Sequence, residues 1–175
     1  MGGTVVLRHG ALSQSGPDAA DAVVSVSAAG FWNYRGTPPM RLVHQAVGTA
    51  VGRRVLRHGF GTRVTDAGWQ EPYPLDPSES AGMIAPRPLL VVHGDQDAYF
   101  PLEHARSIMR GAREGARARG VLDRAEEWTE AGFAHAESAA TPELLDRIGS
   151  WALSAVGHDG GRAVQDGVVG TRSGS

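Results

Sequence analysis

The sequence predicts an α/β fold in which a parallel sheet is covered by helices on both faces. Three observations carry that expectation. Short, continuous apolar runs at 22–28 and 88–95 have the length and residue types of interior strands. Stretches with apolar residues at helical spacing separate them. The residue types able to do acid–base chemistry gather just after strands, at the carboxyl edge where such sheets collect their reactive groups.

The elements follow in order. Val5, Val6, Leu7, Ala11 and Leu12 give an apolar-rich helix over Thr4 to Leu12, expected to be mostly buried, which ends in the polar stretch 13–18. Ala22 to Ala28 is β-branched and lies between Asp21 and Gly30, which suits a first, interior parallel strand. An aromatic and proline-rich segment, Phe31 to Pro39, leads into one helix with Val43, Ala46, Val47, Ala50, Val51 and Val55 on its apolar face. Arg53, Arg54, Arg57 and His58 in its last turns suit the helix dipole, and Gly59 stops it. Residues 60–76 read as irregular.

Pro88 to Asp95 is the clearest strand. A helix begins at Pro101, with Leu102, Ala105, Ile108, Met109 and Ala112 inward. A short strand is expected over Arg124 to Thr129. Thr141-Pro142 then opens a last helix with Leu144, Leu145, Ile148, Trp151 and Ala152 inward. The organisation expected is one α/β domain over 1–155, with an insertion over about 31–84, and a disordered polar tail over 156–175.

Composition narrows the functions. The chain has 175 residues, an apolar fraction of 41% and a net charge of −2, so no electrostatic footprint for nucleic acid or an anionic membrane surface is expected. With no cysteine, disulfides, thiolate chemistry and cysteine-based zinc sites are excluded. All 17 basic residues other than histidine are Arg, which reflects a GC-rich coding sequence. The N-terminus lacks the basic and apolar regions of a signal peptide, and no run approaches a membrane span; a cytoplasmic location is the expectation. His93, Asp95 and Asp97 alternate along a strand end without further histidines nearby, so neither a metal nor a cofactor is expected.

The chemistry concentrates in two strand-end loops, His93-Gly94-Asp95-Gln96-Asp97-Ala98-Tyr99-Phe100-Pro101 and Gly132-Phe133-Ala134-His135. Gly94-x-x-Asp97-x-x-x-Pro101 followed, one helix and one strand later, by Gly132-x-x-His135 resembles the acid and histidine loops of the α/β-hydrolase superfamily. The resemblance covers about residues 1–155. It implies that Asp97 orients the imidazole and that His135 moves the proton of a serine nucleophile. Counting from Gly94 selects Asp97 over Asp95, which is left to brace the loop.

Met1-Gly2-Gly3, followed by a helix, is similar to the second half of the family's Gly-x-Ser-Met-Gly-Gly elbow. The resemblance then puts the serine immediately before Met1, the elbow glycines at Gly2 and Gly3, and an oxyanion-hole N–H on Met1. It implies the C-terminal half of an α/β-hydrolase fold: three parallel strands with flanking helices, three αβα layers, and a cap in the insertion. Trp32 and Tyr34, with Phe31 and Trp69, are candidates for an acyl pocket or for packing. Ser27, at a strand end between small residues, forms a degenerate elbow and is read instead as a pocket-wall residue. The implied function is ester or related acyl hydrolysis through a Ser-Asp-His triad, with this chain inactive by itself and its partner a small ester-like molecule. The alternative is a non-catalytic binding module, which would leave the apolar strand 22–28 as an exposed edge.

Overall fold

The computed structural model describes residues 2–63, 74–135 and 140–165, with side chains described as far as Gly157. The elements run α1 (Gly2–Leu12), β1 (Val23–Val26), α2 (Pro38–Gly48), α3 (Ala50–Gly59), α4 (Pro77–Ile84), β2 (Leu89–Gly94), α5 (Glu103–Arg119), β3 (Ala125–Glu130) and α6 (Pro142–Gln165). The three strands form one parallel sheet in the order β1-β2-β3, with Val26 level with Val92 and Gly94 level with Glu130.

The period of two in β2 builds the three layers. Leu89 and Val91 point to one face, where Leu7 of α1, Ala81 and Ile84 of α4, and Ala105, Ile108 and Met109 of α5 close a core with Val23. Leu90 and Val92 point to the other, against Phe133 and Leu144, with Trp128, Ile148 and Trp151 packed around them. Because both faces are covered, every residue of β2 is buried, which is why the strand reads as a continuous apolar run. This is the αβα arrangement the sequence leads one to expect.

Several elements depart from expectation. The apolar stripe of 43–55 is split by Thr49, whose extended backbone (φ −114°, ψ 147°) interrupts the helix while its hydroxyl accepts from the Gly52 N–H at 3.1 Å. Thr as an N-cap thus overrides the helical period. The stripe is not inward either: Val51 and Val55 are 75% and 56% exposed, and it is His44 that is buried. In α1 only Thr4, Leu7, Gly10 and Ala11 are buried, leaving Val5, Val6 and Leu12 outward. Leu145 is exposed where it was expected inward.

The insertion expected over 31–84 closes with α4, which belongs to the core. Its start is signalled by Asp76-Pro77-Ser78-Glu79, where Glu79 Oε2 accepts the Asp76 N–H at 3.0 Å in a capping-box contact. The backbone of α6 stays helical to Gln165, so 156–165 is helix rather than the tail expected from 156; residues 166–175, like Met1 and Trp69, lie outside the described residues. No helix among the described residues is long and apolar enough to cross a membrane.

One side chain ties the first layer together. Arg87, just before β2, donates to the carbonyls of Ser13 and Ala20 at 3.1 Å each, of Ile84 at 3.3 Å, and of Gly10. It thereby joins the end of α1, the approach to β1 and the end of α4. Replacing it leaves these carbonyls without their donor in a part-buried site. Arg87→Met is expected to lower unfolding free energy by about 2–4 kcal/mol, read from urea midpoints at unchanged m.

Candidate active site

The two reactive loops sit side by side because β2 and β3 end level with each other. Backbone bonds then lace them: Asp95 N–H to Glu130 O at 3.2 Å and Gln96 N–H to Phe133 O at 3.1 Å. Asp95 adds a third link, its Oδ1 accepting the Gly132 N–H at 2.7 Å, which is the bracing role expected of it. Both motif glycines are required by this crossing. A Cβ on Gly94 would overlap the Phe133 carbonyl, and Gly132 turns with φ +72°, a conformation that L side chains disfavour.

Asp97 is 7% exposed and uses both oxygens. Oδ1 accepts the N–H groups of Tyr99 at 2.8 Å and Phe100 at 3.0 Å, the turn-forming habit of aspartate. Oδ2 accepts from His135 Nδ1 at 2.9 Å. Burial by itself would raise the Asp97 pKa, but the His135 hydrogen bond and the two backbone donors outweigh it and hold the carboxyl below its ordinary value. An ionised Asp97 therefore holds the Nδ1–H of His135, which fixes the tautomer and orientation of the ring. The sequence-derived pair Asp97 and His135 is thus brought into contact.

Two further histidines stand around this pair. His93, fully buried, donates from Nε2 to the Phe100 carbonyl at 2.7 Å and lies 3.8 Å from Asp97 Oδ2. His104, 1% exposed, accepts the Gly30 N–H on Nδ1 at 2.9 Å. Burial first, and the neighbouring His93 second, push the His104 pKa down to about 4. Neither histidine has a sequence signature, since each acts through a partner distant along the chain or through a backbone carbonyl. Among the described residues, no three His, Asp or Glu groups are placed to hold a metal ion.

His135 opens onto a cavity of about 200 Å³. Phe31, Trp32 and Tyr34 form one wall, Tyr99 and Phe100 a second, and Met40, Val43 and His44 of α2 a third. Trp32 and Tyr34 are therefore cavity residues as well as packing residues. His44 is held below its ordinary pKa, by burial first and by Arg35 second. The cavity also reaches Thr4 and Ala29, which are joined by the Ala29 N–H donating to Thr4 Oγ1 at 3.2 Å.

The start of α1 is pressed onto the end of β1. Ser25 Oγ donates to the Gly3 carbonyl at 3.1 Å, and a Cβ on Gly3 would lie 2.5 Å from the Val26 carbonyl. Gly2 has open space around it, so of the two expected elbow glycines it is Gly3 that the packing requires. Met1, expected to donate to an oxyanion, lies outside the described residues. Ser27 has φ +47° and is 2% exposed, with its hydroxyl buried and without a hydrogen-bond partner. It is not among the cavity-lining residues, which corrects its reading as pocket wall: of the residues nearby, Ala29 and Thr4 line the cavity instead.

The depressed His104 pKa has a thermodynamic consequence. A folded-state value of about 4 against an ordinary 6.5 means that its stabilising contribution is whole above about pH 6.5 and is lost as pH falls toward 4. The ionisable groups influencing it are His93, Asp97 and Glu103, and His44 adds a slope of the same sign. Unfolding free energies measured from pH 7.5 to 4 should fall for the parent chain, and His104→Phe should flatten the profile. An equal slope in both would contradict the burial of a neutral imidazole.

No family model matches the chain, and no curated protein is similar to it. Among solved structures, the chain is similar to TT1662 from Thermus thermophilus, with 17% identity and a TM-score of 0.49, over 87% of this chain and 49% of that one. It is also similar to a monoacylglycerol lipase from Paleococcus ferrophilus, with 17% identity and a TM-score of 0.48, over 89% of this chain and 65% of that one. The chain thus spans less than two thirds of either structure's length.

Proposed function

We propose that this chain carries the acid–base pair and acyl pocket of a serine hydrolase of the α/β-hydrolase superfamily, acting on an ester or related acyl bond. The observation that carries the reading is the 2.9 Å contact between Asp97 and His135, at adjoining strand ends and at the edge of an apolar cavity. In this reading His135 Nε2 takes the proton of a hydroxyl nucleophile as it attacks the acyl carbon, and Asp97 stabilises the imidazolium that results. The same proton passes to the leaving oxygen. Water, activated by His135 in turn, then cleaves the acyl-enzyme.

The position of the nucleophile is inferred from α1. Its first turn meets the end of β1 and carries Thr4, a cavity residue, which is consistent with the elbow resemblance of Met1-Gly2-Gly3, in which the nucleophile is the residue ahead of Met1 and the Met1 N–H serves the oxyanion. Ser27 does not suit the role because its hydroxyl is buried and Ser27 is not among the residues that line the cavity. Among the described residues the cavity lining contains no carboxylate and no arginine, which favours an uncharged acyl group.

The test is hydrolysis of 4-nitrophenyl butyrate and hexanoate by this chain and by the chain with whatever its genomic locus encodes in frame ahead of Met1. Turnover is expected only in the longer form. There, Asp97→Asn should reduce kcat by about 10⁴-fold, and His135→Ala by at least as much. Turnover by the given chain that disappears in Ser27→Ala would overturn the assignment.

A further inference from the structure

We propose that His104 is a positioning residue that sets the shape of the acyl cavity from behind, by holding the Gly30 N–H with its neutral imidazole. The inference rests on the reading of that cavity as the substrate's site, and goes beyond it in naming what fixes the cavity wall. His104 is in the first turn of α5 and is not itself a lining residue. Its ring lies against three residues that are: Tyr34 at 4.2 Å between centroids, edge-on at 81°, Phe31 at 4.7 Å, and Phe100 at 5.3 Å. One buried ring thus backs both the aromatic wall that follows β1 and the wall contributed by the acid loop.

The wall that follows β1 is held by bonds from single groups to its neighbours, among them the Ala29 N–H to Thr4 Oγ1 at 3.2 Å, Thr37 Oγ1 to the Tyr99 carbonyl at 3.0 Å and Arg41 Nη1 to the Gly36 carbonyl at 3.0 Å. Between the end of β1 and the start of α2 there is no strand or helix. On one side the segment is tied to the approach to α4, by the Trp32 N–H donating to Asp76 Oδ1 at 3.3 Å, by the Trp32 indole donating to the Leu75 carbonyl at 3.0 Å, and by the Ser78 N–H donating to the Gly30 carbonyl at 3.2 Å. On the other it is tied by His104. The approach there is close, since a Cβ on Gly30 would lie 3.1 Å from the His104 carbonyl.

The chemistry of the ring is specific to this task. Nδ1 must keep a lone pair to accept an amide proton, so only the neutral tautomer protonated at Nε2 serves. The surroundings enforce that form across the physiological range, as the low pKa of about 4 indicates. A phenyl ring would keep aromatic contacts with Tyr34 and Phe31 but leave the buried Gly30 N–H without an acceptor. Asparagine would lose the ring, yet its Oδ1 can stand where Nδ1 stands.

These two replacements separate hydrogen bonding from filling of space. The variants His104→Asn and His104→Phe are compared with the parent chain by titration with octan-1-ol, followed through Trp32 fluorescence with Trp32→Phe as the control, and by amide exchange at Gly30. The expected result is octanol affinity within about 3-fold of the parent for His104→Asn, and at least about 10-fold weaker for His104→Phe. Gly30 exchange should be accelerated at least about 10-fold in His104→Phe alone. Parent-like affinity and exchange in His104→Phe would overturn the proposal, as would equal losses in both variants. If the parent chain does not bind octanol, the acyl-pocket reading fails; Gly30 exchange then still decides whether His104 holds the wall. No arm of this test depends on turnover.

Discussion

The geometry of the site depends on one carboxylate with two occupations. Asp97 folds its own loop by capping the Tyr99 and Phe100 N–H groups with one oxygen, and holds His135 with the other. The same group that shapes the acid loop therefore fixes the imidazole of the next. A buried carboxylate with so many donors stays ionised at little cost, because each hydrogen bond replaces one it would have made to water. Phe100 is held twice over, through its N–H by Asp97 and through its carbonyl by His93. That rigid turn carries both the acid and one wall of the cavity.

Around this centre the sheet acts as a ruler. The parallel register brings Gly94 level with Glu130, so the acid and histidine loops leave the sheet side by side and cross where only a glycine fits. The cores on the two faces of β2 keep that register, since a slip by one residue would exchange Leu90 and Val92 for Leu89 and Val91 on opposite faces. The cavity is then assembled from loop segments together with α2 and the start of α1. Its precision comes from side-chain to backbone bonds, those of His104 and Asp76 among them.

What could be read from the sequence was local in its physics. The run 88–95 and the paired spacings of Gly94 with Asp97 and Gly132 with His135 are short-range patterns, and strand ends are where an α/β sheet puts its reactive groups. The misread elements turn on competition between signals. Thr49 as a cap overrides a continuous helical stripe, and the capping sequence Asp76-Pro77-Ser78-Glu79 starts a core helix within the span expected as an insertion. The roles of His93 and His104 were not legible at all. The bond from Gly30 to His104 spans 74 residues, and nothing about an isolated histidine announces a partner so distant.

The Arg87 clamp has an implication for how this framework can diverge. Each acceptor it engages, on Gly10, Ser13, Ala20 and Ile84, is a main-chain carbonyl. The clamp consequently reads the path of the backbone and is indifferent to the identity of the side chains along it. Drift at Ser13 or Ala20 leaves it untouched, whereas inserting or deleting one residue between α1 and β1 would pull several acceptors out of reach together. The layer beneath the sheet can thus accept substitutions in that connection far more readily than changes in its length.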